Sequence, residues 1–181
     1  GLDAVVMSLA VGPMPRNPEG YAAAKALAQA KLAAVNALAN DPVNNAIIVQ
    51  TTEELQTAQT EGKAALILGF QNALILGTNT TGIDELYDSG VRVFALTHMG
   101  HNNFADSSRT LFDGDTGTRE PESEHGGLSV LGRSAISKIN ALGGVVDISQ
   151  LSTQAALQAI DLSTTPVIAS HSNVRALTNV T

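Results

Sequence analysis

Val91-Arg-Val-Phe-Ala-Leu-Thr-His98, followed by Met-Gly-His101 and a polar loop, is the stretch that decides the fold. It is a largely apolar, β-branched run of strand length that ends at a histidine. Such a run predicts a buried strand that carries polar side chains at its end. The same pattern occurs at residues 63–72, 143–150 and 165–171. We therefore predict that four strand ends form one shared face.

Helical patterns separate these strands. Tyr21 to Ala39 is rich in alanine and predicts a helix with one apolar face, formed by Leu27, Leu32, Val35 and Leu38. Shorter helical patterns begin near Thr52, which we expect to cap its helix, and near Gly82, Ser129 and Ser152, and further strands are expected at 4–11 and 46–49. Continuously apolar strands that alternate with helices predict parallel βα units.

The fold class that follows is α/β, and we favour a (β/α)8 TIM barrel. An open dinucleotide-binding or nucleotide-binding sheet is less well supported, because no glycine-rich phosphate loop follows any strand. A barrel needs eight strands and about 250 residues, whereas this chain shows about five strands and the short 46–49 piece. Residues 1–181 are therefore expected to form one partial barrel domain that lacks the first strand and the last strands.

The composition excludes several classes of protein. Of the 181 residues, 44% are hydrophobic and 15% are charged, which indicates a folded globular domain. A net charge of −7 with only 10 lysines and arginines argues against a nucleic-acid partner. No apolar run approaches the roughly 20 residues of a membrane-spanning helix. Without cysteine, disulfides and thiolate metal ligands are excluded.

A series of motifs from about residue 46 onward carries a family resemblance. In chain order they are Gly69-Phe-Gln-Asn72, Gly90-Val-Arg-Val-Phe-Ala-Leu-Thr-His98, Phe104-Ala-Asp-Ser107, His125-Gly-Gly-Leu-Ser129, Asn140-Ala-Leu-Gly143, Asp147-Ile-Ser-Gln-Leu-Ser152 and Val167-Ile-Ala-Ser-His-Ser-Asn173. Their order and spacing resemble the membrane (renal) dipeptidase family of zinc peptidases. The resemblance implies a barrel of the metallo-dependent hydrolase type, in which two zinc ions activate a water molecule that cleaves dipeptides.

The resemblance also implies roles for individual residues. His98 would stabilise the transition state, and His171 would bind zinc. Gln71 stands where the family has a glutamate that bridges the two metals, and Gln150 stands where it has a second histidine ligand. The family's His-x-Asp ligand pair would precede Gly1. Its substrate-binding arginine would follow Thr181.

The two glutamines leave alternatives open. A neutral amide brings no charge to a pair of dications, and imidazole is the better zinc ligand, so both positions argue against full zinc occupancy. His101 or His125 is a hypothetical replacement ligand. Gln71 and Gln150 are equally well explained as a tie between neighbouring strand ends.

Two further positions complete the set of candidates. Asn72 and Asp106 are candidate substrate-binding residues, although Asp106 is more simply explained as an acceptor for loop amides. Asp147 is expected to be a buried carboxylate behind the site, where it would need a hydrogen-bonding partner.

Three functions are consistent with these residues. The first is metal-dependent hydrolysis of dipeptides by the parent protein, with residues 1–181 inactive alone. The alternative is a metal-depleted barrel that binds a small peptide or amino acid without cleaving it. The third keeps the metal but cleaves another amide or a lactone. By resemblance we expect a dipeptide as partner and a periplasmic or secreted location, and a homodimer is left open.

Overall fold

The fold centres on a parallel sheet. The computed structural model describes residues 2–173 and 176–177. Its strands are β1 (Ala4–Ala10), β2 (Ala46–Ile48), β3 (Ala64–Gln71), β4 (Val91–Ala95), β5 (Phe112–Asp113), β6 (Thr118–Arg119) and β7 (Val145–Asp147). Its helices are α1 (Pro18–Asn40), α2 (Thr52–Thr60), α3 (Gly82–Asp88), α4 (Val130–Leu142) and α5 (Thr153–Leu162), with 3-10 turns at Pro42–Asn44 and Ala73–Leu76.

The order of the strands in the sheet follows the order of the chain. The main path is β1-β3-β4-β7, every pair is parallel, and Ile168 forms a bridge beyond β7. β2 pairs with the first residues of β3, on the same side of β3 as β4. β4 pairs with the last residues of β3. A doubly wound sheet reverses its strand order at a switch point, and the described strands show no such reversal. The predicted parallel α/β class is confirmed.

Three predicted strands are shorter than expected. The strand from Val91 ends at Ala95, the strand expected at 143–148 covers only Val145–Asp147, and the segment 165–169 contributes only the bridge at Ile168. Ala95 pairs with Gln71 on one side and Asp147 on the other, and these are the last residues of their own strands. Within the described strands the pairing of β4 ends at Ala95, and after a last bond from the N–H of Ala73 to the carbonyl oxygen of Leu96, Thr97 and His98 lie outside the sheet.

Helix α1 packs through small residues. Its buried positions are Gly20, Ala24, Ala28 and Val35. The predicted apolar face was wrong at Leu27 and Leu38, which are each 37% exposed. The first turn of the helix lies very close to the preceding loop, since a Cβ added to Gly20 would lie 1.9 Å from the carbonyl oxygen of Pro15.

Other helix boundaries follow from local capping. The predicted cap at Thr52 was wrong by one residue, because Thr51 and Glu54 form the capping box of α2. Gly62 and Gly143 follow α2 and α4 with positive φ angles of 67° and 81°, as expected for residues that end helices. The predicted loop after β4 also contains the short β5-β6 hairpin.

The core lies between the sheet and its helices. Ala135, Ile136 and Ile139 form the buried stripe of α4 that the sequence predicted. The rings of Phe70 and Phe94, from adjacent strands, lie 5.9 Å apart between centroids. None of the helices within residues 2–173 is long and apolar enough to cross a membrane.

Candidate functional site

The predicted site residues lie at the carboxyl ends of the strands. Ala10, Gln71, Ala95 and Asp147 occupy one row across the sheet, because each pairs with the next. The segments after this row therefore emerge together, and we call this end of the sheet the rim. Polar residues from distant parts of the chain meet there.

Gln71, Gln150 and His171 contact one another at the rim. The amide nitrogen of Gln71 donates to the side-chain oxygen of Gln150 at 2.7 Å. The same nitrogen lies 3.2 Å from Nε2 of His171. The structure thus joins residues that are 79 and 100 positions apart, and it bears out the expectation that the two glutamines tie neighbouring strand ends together.

Gln150 adopts a backbone conformation that L residues rarely occupy. Its φ angle is 63°. The neighbouring loop holds it there, because its carbonyl oxygen accepts from the backbone N–H of Ser108 at 2.9 Å and from the hydroxyl of Ser107 at 3.2 Å. A backbone conformation of this kind costs about 1 kcal/mol or more, and it persists only where contacts with surrounding residues hold it in place.

His171 is oriented by a buried carboxylate. Asp147 is only 4% exposed and accepts from the hydroxyl of Ser170 and from the backbone N–H groups of Ser149 and Ser170. The Ser170 oxygen lies 2.7 Å from Nδ1 of His171. The expectation of a buried carboxylate with a hydrogen-bonding partner is confirmed.

This chain of hydrogen bonds determines the tautomer of His171. Ser170 has one hydroxyl proton, which it donates to Asp147, so its oxygen must accept from an Nδ1–H of His171. In the neutral ring Nε2 then carries a lone pair, and it accepts from the amide of Gln71. The network therefore runs from Asp147 through Ser170 and His171 to the two glutamines.

His98 follows β4 at the rim and is half-buried. Its Nδ1 is buried and has no hydrogen-bond partner in the described part of the chain, while its carbonyl oxygen accepts from the Ser107 hydroxyl at 2.6 Å. Burial lowers the pKa of His98, and the charges of Arg109, His171 and Lys31 lower it further. The imidazole is therefore neutral at neutral pH, and these three groups are its electrostatic neighbours.

Asn72 is buried beneath the rim. It is 1% exposed, and its amide donates to the carbonyl oxygen of Val11 while its oxygen accepts from the backbone N–H of Leu74 and the amide of Asn102. The side chain joins the ends of β1, β3 and the loop after β4. The structure thus gives Asn72 a structural role, and its role in substrate binding stays a prediction.

Asp106 is fully buried and organises the loop at residues 123–127. Its carboxylate accepts from the Ser123 hydroxyl at 2.5 Å and from the N–H groups of Glu124, His125 and Gly127 at 2.9, 3.1 and 2.8 Å. Burial acts to raise the pKa of Asp106, but these hydrogen bonds outweigh it and lower the pKa. The expectation that Asp106 accepts from loop amides is confirmed, and its contact with substrate stays a prediction.

His101 and His125 are bonded to loop backbone. Nδ1 of His101 accepts from the N–H of Ser107, and its Nε2 lies 2.8 Å from the carbonyl oxygen of Pro121. Nε2 of His125 lies 2.8 Å from the carbonyl oxygen of Asn102. The hypothesis that either one replaces a lost metal ligand receives no support from these contacts.

The rim does not fit a zinc ion by itself. Residues 2–173 and 176–177 contain no group of three histidine, cysteine, aspartate or glutamate side chains that could hold a metal. The amides of Gln71 and Gln150 and the imidazole of His171 bond to one another at the rim, and the only other imidazole that the described residues place there is that of His98. Zinc sites use thiolate, imidazole and carboxylate ligands, so the donor chemistry here does not match.

Two charged residues at the site were not predicted from the sequence. Lys31, on α1, donates to the carbonyl oxygen of Ala10 at the end of β1. Arg109 lies in the loop after β4, where its N–H donates to the Ser107 hydroxyl oxygen and the Ser107 hydroxyl donates to the carbonyl oxygen of His98. Lys31 is one of two lysines in an alanine-rich helix, and Arg109 is one of two arginines between β4 and α4, so no sequence pattern distinguishes either residue and only the fold could identify them.

Comparison with known proteins gives a consistent result. The model of the membrane dipeptidase family, peptidase family M19, matches residues 1–181. "Dipeptidase tcpJ" of Claviceps purpurea is 34% identical over 116 residues, which cover 64% of this chain and 25% of that protein. "Dipeptidase verJ" of Clonostachys rogersoniana is 30% identical over 131 residues, with coverages of 72% and 31%.

A solved structure agrees in fold. The crystal structure of "the probable dipeptidase PvdM from Pseudomonas aeruginosa" superimposes with a TM-score of 0.90 and 32% identity, over 99% of this chain and 45% of that one. The chain thus spans about a quarter of the curated relative from Claviceps purpurea and less than half of the solved structure. Its mostly parallel α/β fold is a segment of this barrel-like dipeptidase architecture.

Proposed function

Because the chain belongs to the membrane dipeptidase family, peptidase family M19, we propose that the protein containing it hydrolyses dipeptides at the rim. The observation that carries this proposal is the meeting of Gln71, Gln150 and His171 at the carboxyl ends of the parallel strands, with the backbone of His98 linked to that of Gln150 through the Ser107 hydroxyl. In a barrel of parallel strands this is the face where active sites form.

The chain's own residues support two parts of such a reaction. His98 is neutral, and a neutral imidazole has one N–H that can donate to the oxyanion of a tetrahedral intermediate. The Gln71 and Gln150 amides offer hydrogen bonds that can orient a peptide group. His171 is held in one tautomer and keeps its ring in place through Ser170 and Asp147. We assign no step to a metal ion, because the described donors do not form a zinc site.

Zinc dependence is a separate proposal that rests on family membership. If the intact protein depends on zinc, the ligands must include groups other than those described. We also propose that residues 1–181 alone show no turnover, since the described part lacks a metal-binding group.

The test uses the intact protein and a panel of dipeptides. Amino-acid release should be measurable, should fall by about a hundredfold or more in His98→Ala, and should fall in His171→Ala. Arg133→Ala, an exposed position on α4, is the matched control and should keep full activity. Metal analysis and activity before and after chelation report on zinc. Absence of hydrolysis across the panel would overturn the proposal.

A second function is favoured by one observation. Gln71, Gln150 and His171 satisfy one another by hydrogen bonding instead of presenting free metal ligands. This arrangement suits a protein that binds a small peptide or amino acid without cleaving it. That function predicts dipeptide binding that persists after chelation with no release of amino acids. If the protein hydrolyses other amides or lactones but no dipeptide, the result would instead indicate the metal-dependent hydrolase with a different substrate.

A further inference from the structure

We propose that Ser107 is a positioning residue, whose single hydroxyl group aligns His98 with Gln150 for the reaction at the rim. This inference rests on the proposed function, because it assigns a residue that supports hydrolysis without touching the substrate. Ser107 is the last residue of the Phe104-Ala-Asp-Ser107 motif, and the family resemblance gives it no role.

His98 lies beyond the part of β4 that the sheet holds. The pairing of β4 ends at Ala95, so the strand ladder does not fix the backbone at residue 98. The ring gains no orientation from hydrogen bonding at Nδ1, which is buried without a partner in the described part of the chain. The position of the imidazole therefore depends on how the backbone of His98 is held.

The hydroxyl of Ser107 holds this backbone. It donates to the carbonyl oxygen of His98 at 2.6 Å, within the usual range for O–H···O bonds. Within residues 2–173 and 176–177 this is the one hydrogen bond that His98 makes. Loss of the hydroxyl would therefore leave the backbone of His98 free to shift, and the imidazole would shift with it.

The same hydroxyl also contacts Gln150. A serine hydroxyl has one proton, so Ser107 shares it between the carbonyl oxygens of His98 and Gln150, which lie 2.6 and 3.2 Å from its oxygen. Gln150 has a φ angle of 63°, and its side-chain oxygen accepts from Gln71. One hydroxyl thus links the residue proposed to stabilise the oxyanion with a residue proposed to orient the peptide group.

Ser107 is itself held on several sides. It is 2% exposed, and its N–H donates to Nδ1 of His101 at 3.0 Å. Its backbone forms an antiparallel bridge with Leu151, and its hydroxyl oxygen accepts from the N–H of Arg109 at 3.1 Å. A site keeps a precise geometry only when the residues that support it are themselves fixed. Ser107 meets this requirement for a positioning residue.

The neighbouring Ser108 provides a matched control. Its backbone N–H donates to the carbonyl oxygen of Gln150 at 2.9 Å, and alanine would keep this bond. Its hydroxyl makes no hydrogen bond within the part of the chain that the structure describes. Ser108→Ala therefore removes a hydroxyl from the same loop without affecting the contacts to His98 and Gln150.

The experiment is a double-mutant cycle in the intact protein, with a dipeptide that it hydrolyses. Ser107→Ala should lower kcat by about tenfold or more, because small misplacements of reacting groups are costly, and KM should change by less than about threefold. In the His98→Ala background the same change should lower kcat by about threefold or less, since the side chain that Ser107 positions is already absent. Ser108→Ala should leave kcat and KM unchanged.

Folding is checked separately from turnover. Thermal unfolding compares Ser107→Ala with Ser108→Ala. Ser107→Cys is the second variant, because a thiol fills nearly the same space as a hydroxyl but is a weak donor. If Ser107→Ala does not fold, Ser107→Cys takes its place in the cycle with the same expected results.

Three kinetic outcomes would overturn the inference. They are an unchanged kcat in Ser107→Ala, an equal loss in Ser108→Ala, and an equal loss for Ser107→Ala in the parent and in the His98→Ala background. The last of these would indicate a general structural role.

Failure of the proposed function is distinguishable from failure of this inference. If the intact protein hydrolyses no dipeptide, the proposed function fails, and a crystal structure of Ser107→Ala tests the positioning by itself. A displaced His98 backbone and a changed φ angle at Gln150 would support the inference. A rim identical to that of the parent would overturn it.

Discussion

Asp106 and Asp147 are two buried aspartates with different surroundings. Both accept several hydrogen bonds, and their exposed fractions are 0% and 4%. The hydrogen-bond donors to the Asp106 carboxylate all come from one loop, between Ser123 and Gly127, and these bonds do not continue to the rim. The donors to Asp147 include the Ser170 hydroxyl, which continues through His171 to Gln71 and Gln150 at the rim.

The difference distinguishes a structural carboxylate from one that serves a site. Asp106 holds a loop and has no oxygen left for another group. Asp147 holds a side chain whose other ring nitrogen faces the rim. Two aspartates at similar depth can therefore serve different ends, depending on whether their hydrogen-bond network ends in backbone or continues to a solvent-accessible side chain.

Removal of Asp106 should have the largest effect on stability. Asp106→Ala leaves the Ser123 hydroxyl and several loop N–H groups without an acceptor, so we expect the free energy of unfolding to fall by about 3 kcal/mol or more. Denaturant unfolding of the intact protein measures this. Asp106→Asn, which keeps one acceptor oxygen, should lose less. A loss below about 1 kcal/mol for the alanine variant would mean that the closed network is not what holds the loop.

The second test replaces Gln71 and Gln150, the two residues at which the hydrogen-bond network from Asp147 ends. Gln71→Glu with Gln150→His places a carboxylate and an imidazole beside His171, which are ligand types that zinc prefers. We expect zinc affinity of the intact protein to rise by about a hundredfold, because each new ligand replaces a neutral amide. Zinc titration of the double variant and the parent measures the gain. Unchanged affinity would show that the two amides do not limit metal binding.

The third test cuts the Asp147 network in the middle. Ser170→Ala removes the acceptor for Nδ1–H of His171, so the ring loses its fixed orientation. We expect turnover of dipeptides to fall by about tenfold, with a loss of stability of only about 1 kcal/mol. Ser172→Ala is the control, since its hydroxyl makes only a long 3.4 Å contact to Ser149. Equal effects of both variants would contradict the role assigned to Ser170.

The smallest expected effect is on the dependence of stability on pH. Because hydrogen bonds outweigh burial and lower the pKa of Asp106, its carboxylate favours the folded state. That contribution is fully present above the ordinary pKa of 3.8 and is lost as the pH falls through the lower folded value. Asp106→Asn should therefore show a smaller loss of stability between neutral pH and pH 3 than the parent. An identical acid profile would contradict this.

Much of the fold could be predicted because it is encoded locally. The run from Val91 has the apolar, β-branched character of a buried strand, and the stripe of α4 repeats at helical spacing. The apolar face of α1 was predicted wrongly at Leu27 and Leu38, because the helix buries the small residues Gly20, Ala24 and Ala28 together with Val35. Side-chain size alone could not show which face the helix buries.

The candidate site could be predicted only in part. His98, Gln71, Gln150 and His171 each follow a strand or a recognisable motif, so their common location could be expected. Asn72 has the same kind of position in the sequence, yet its amide turns inward to Val11. Lys31 and Arg109 belong to the rim without any motif, because their place there depends on how α1 and the loop after β4 pack.

The sequence by itself determined the parallel α/β class and the family, because apolar runs, helix caps and motif spacing are properties of neighbouring residues. Only the tertiary structure decided which polar groups bond to one another. Gln71 and Gln150 meet across 79 positions, and Ser170 sets the tautomer of His171 for Asp147. A polar side chain takes its role from its partners, and those partners come from distant segments that only the folded sheet brings together.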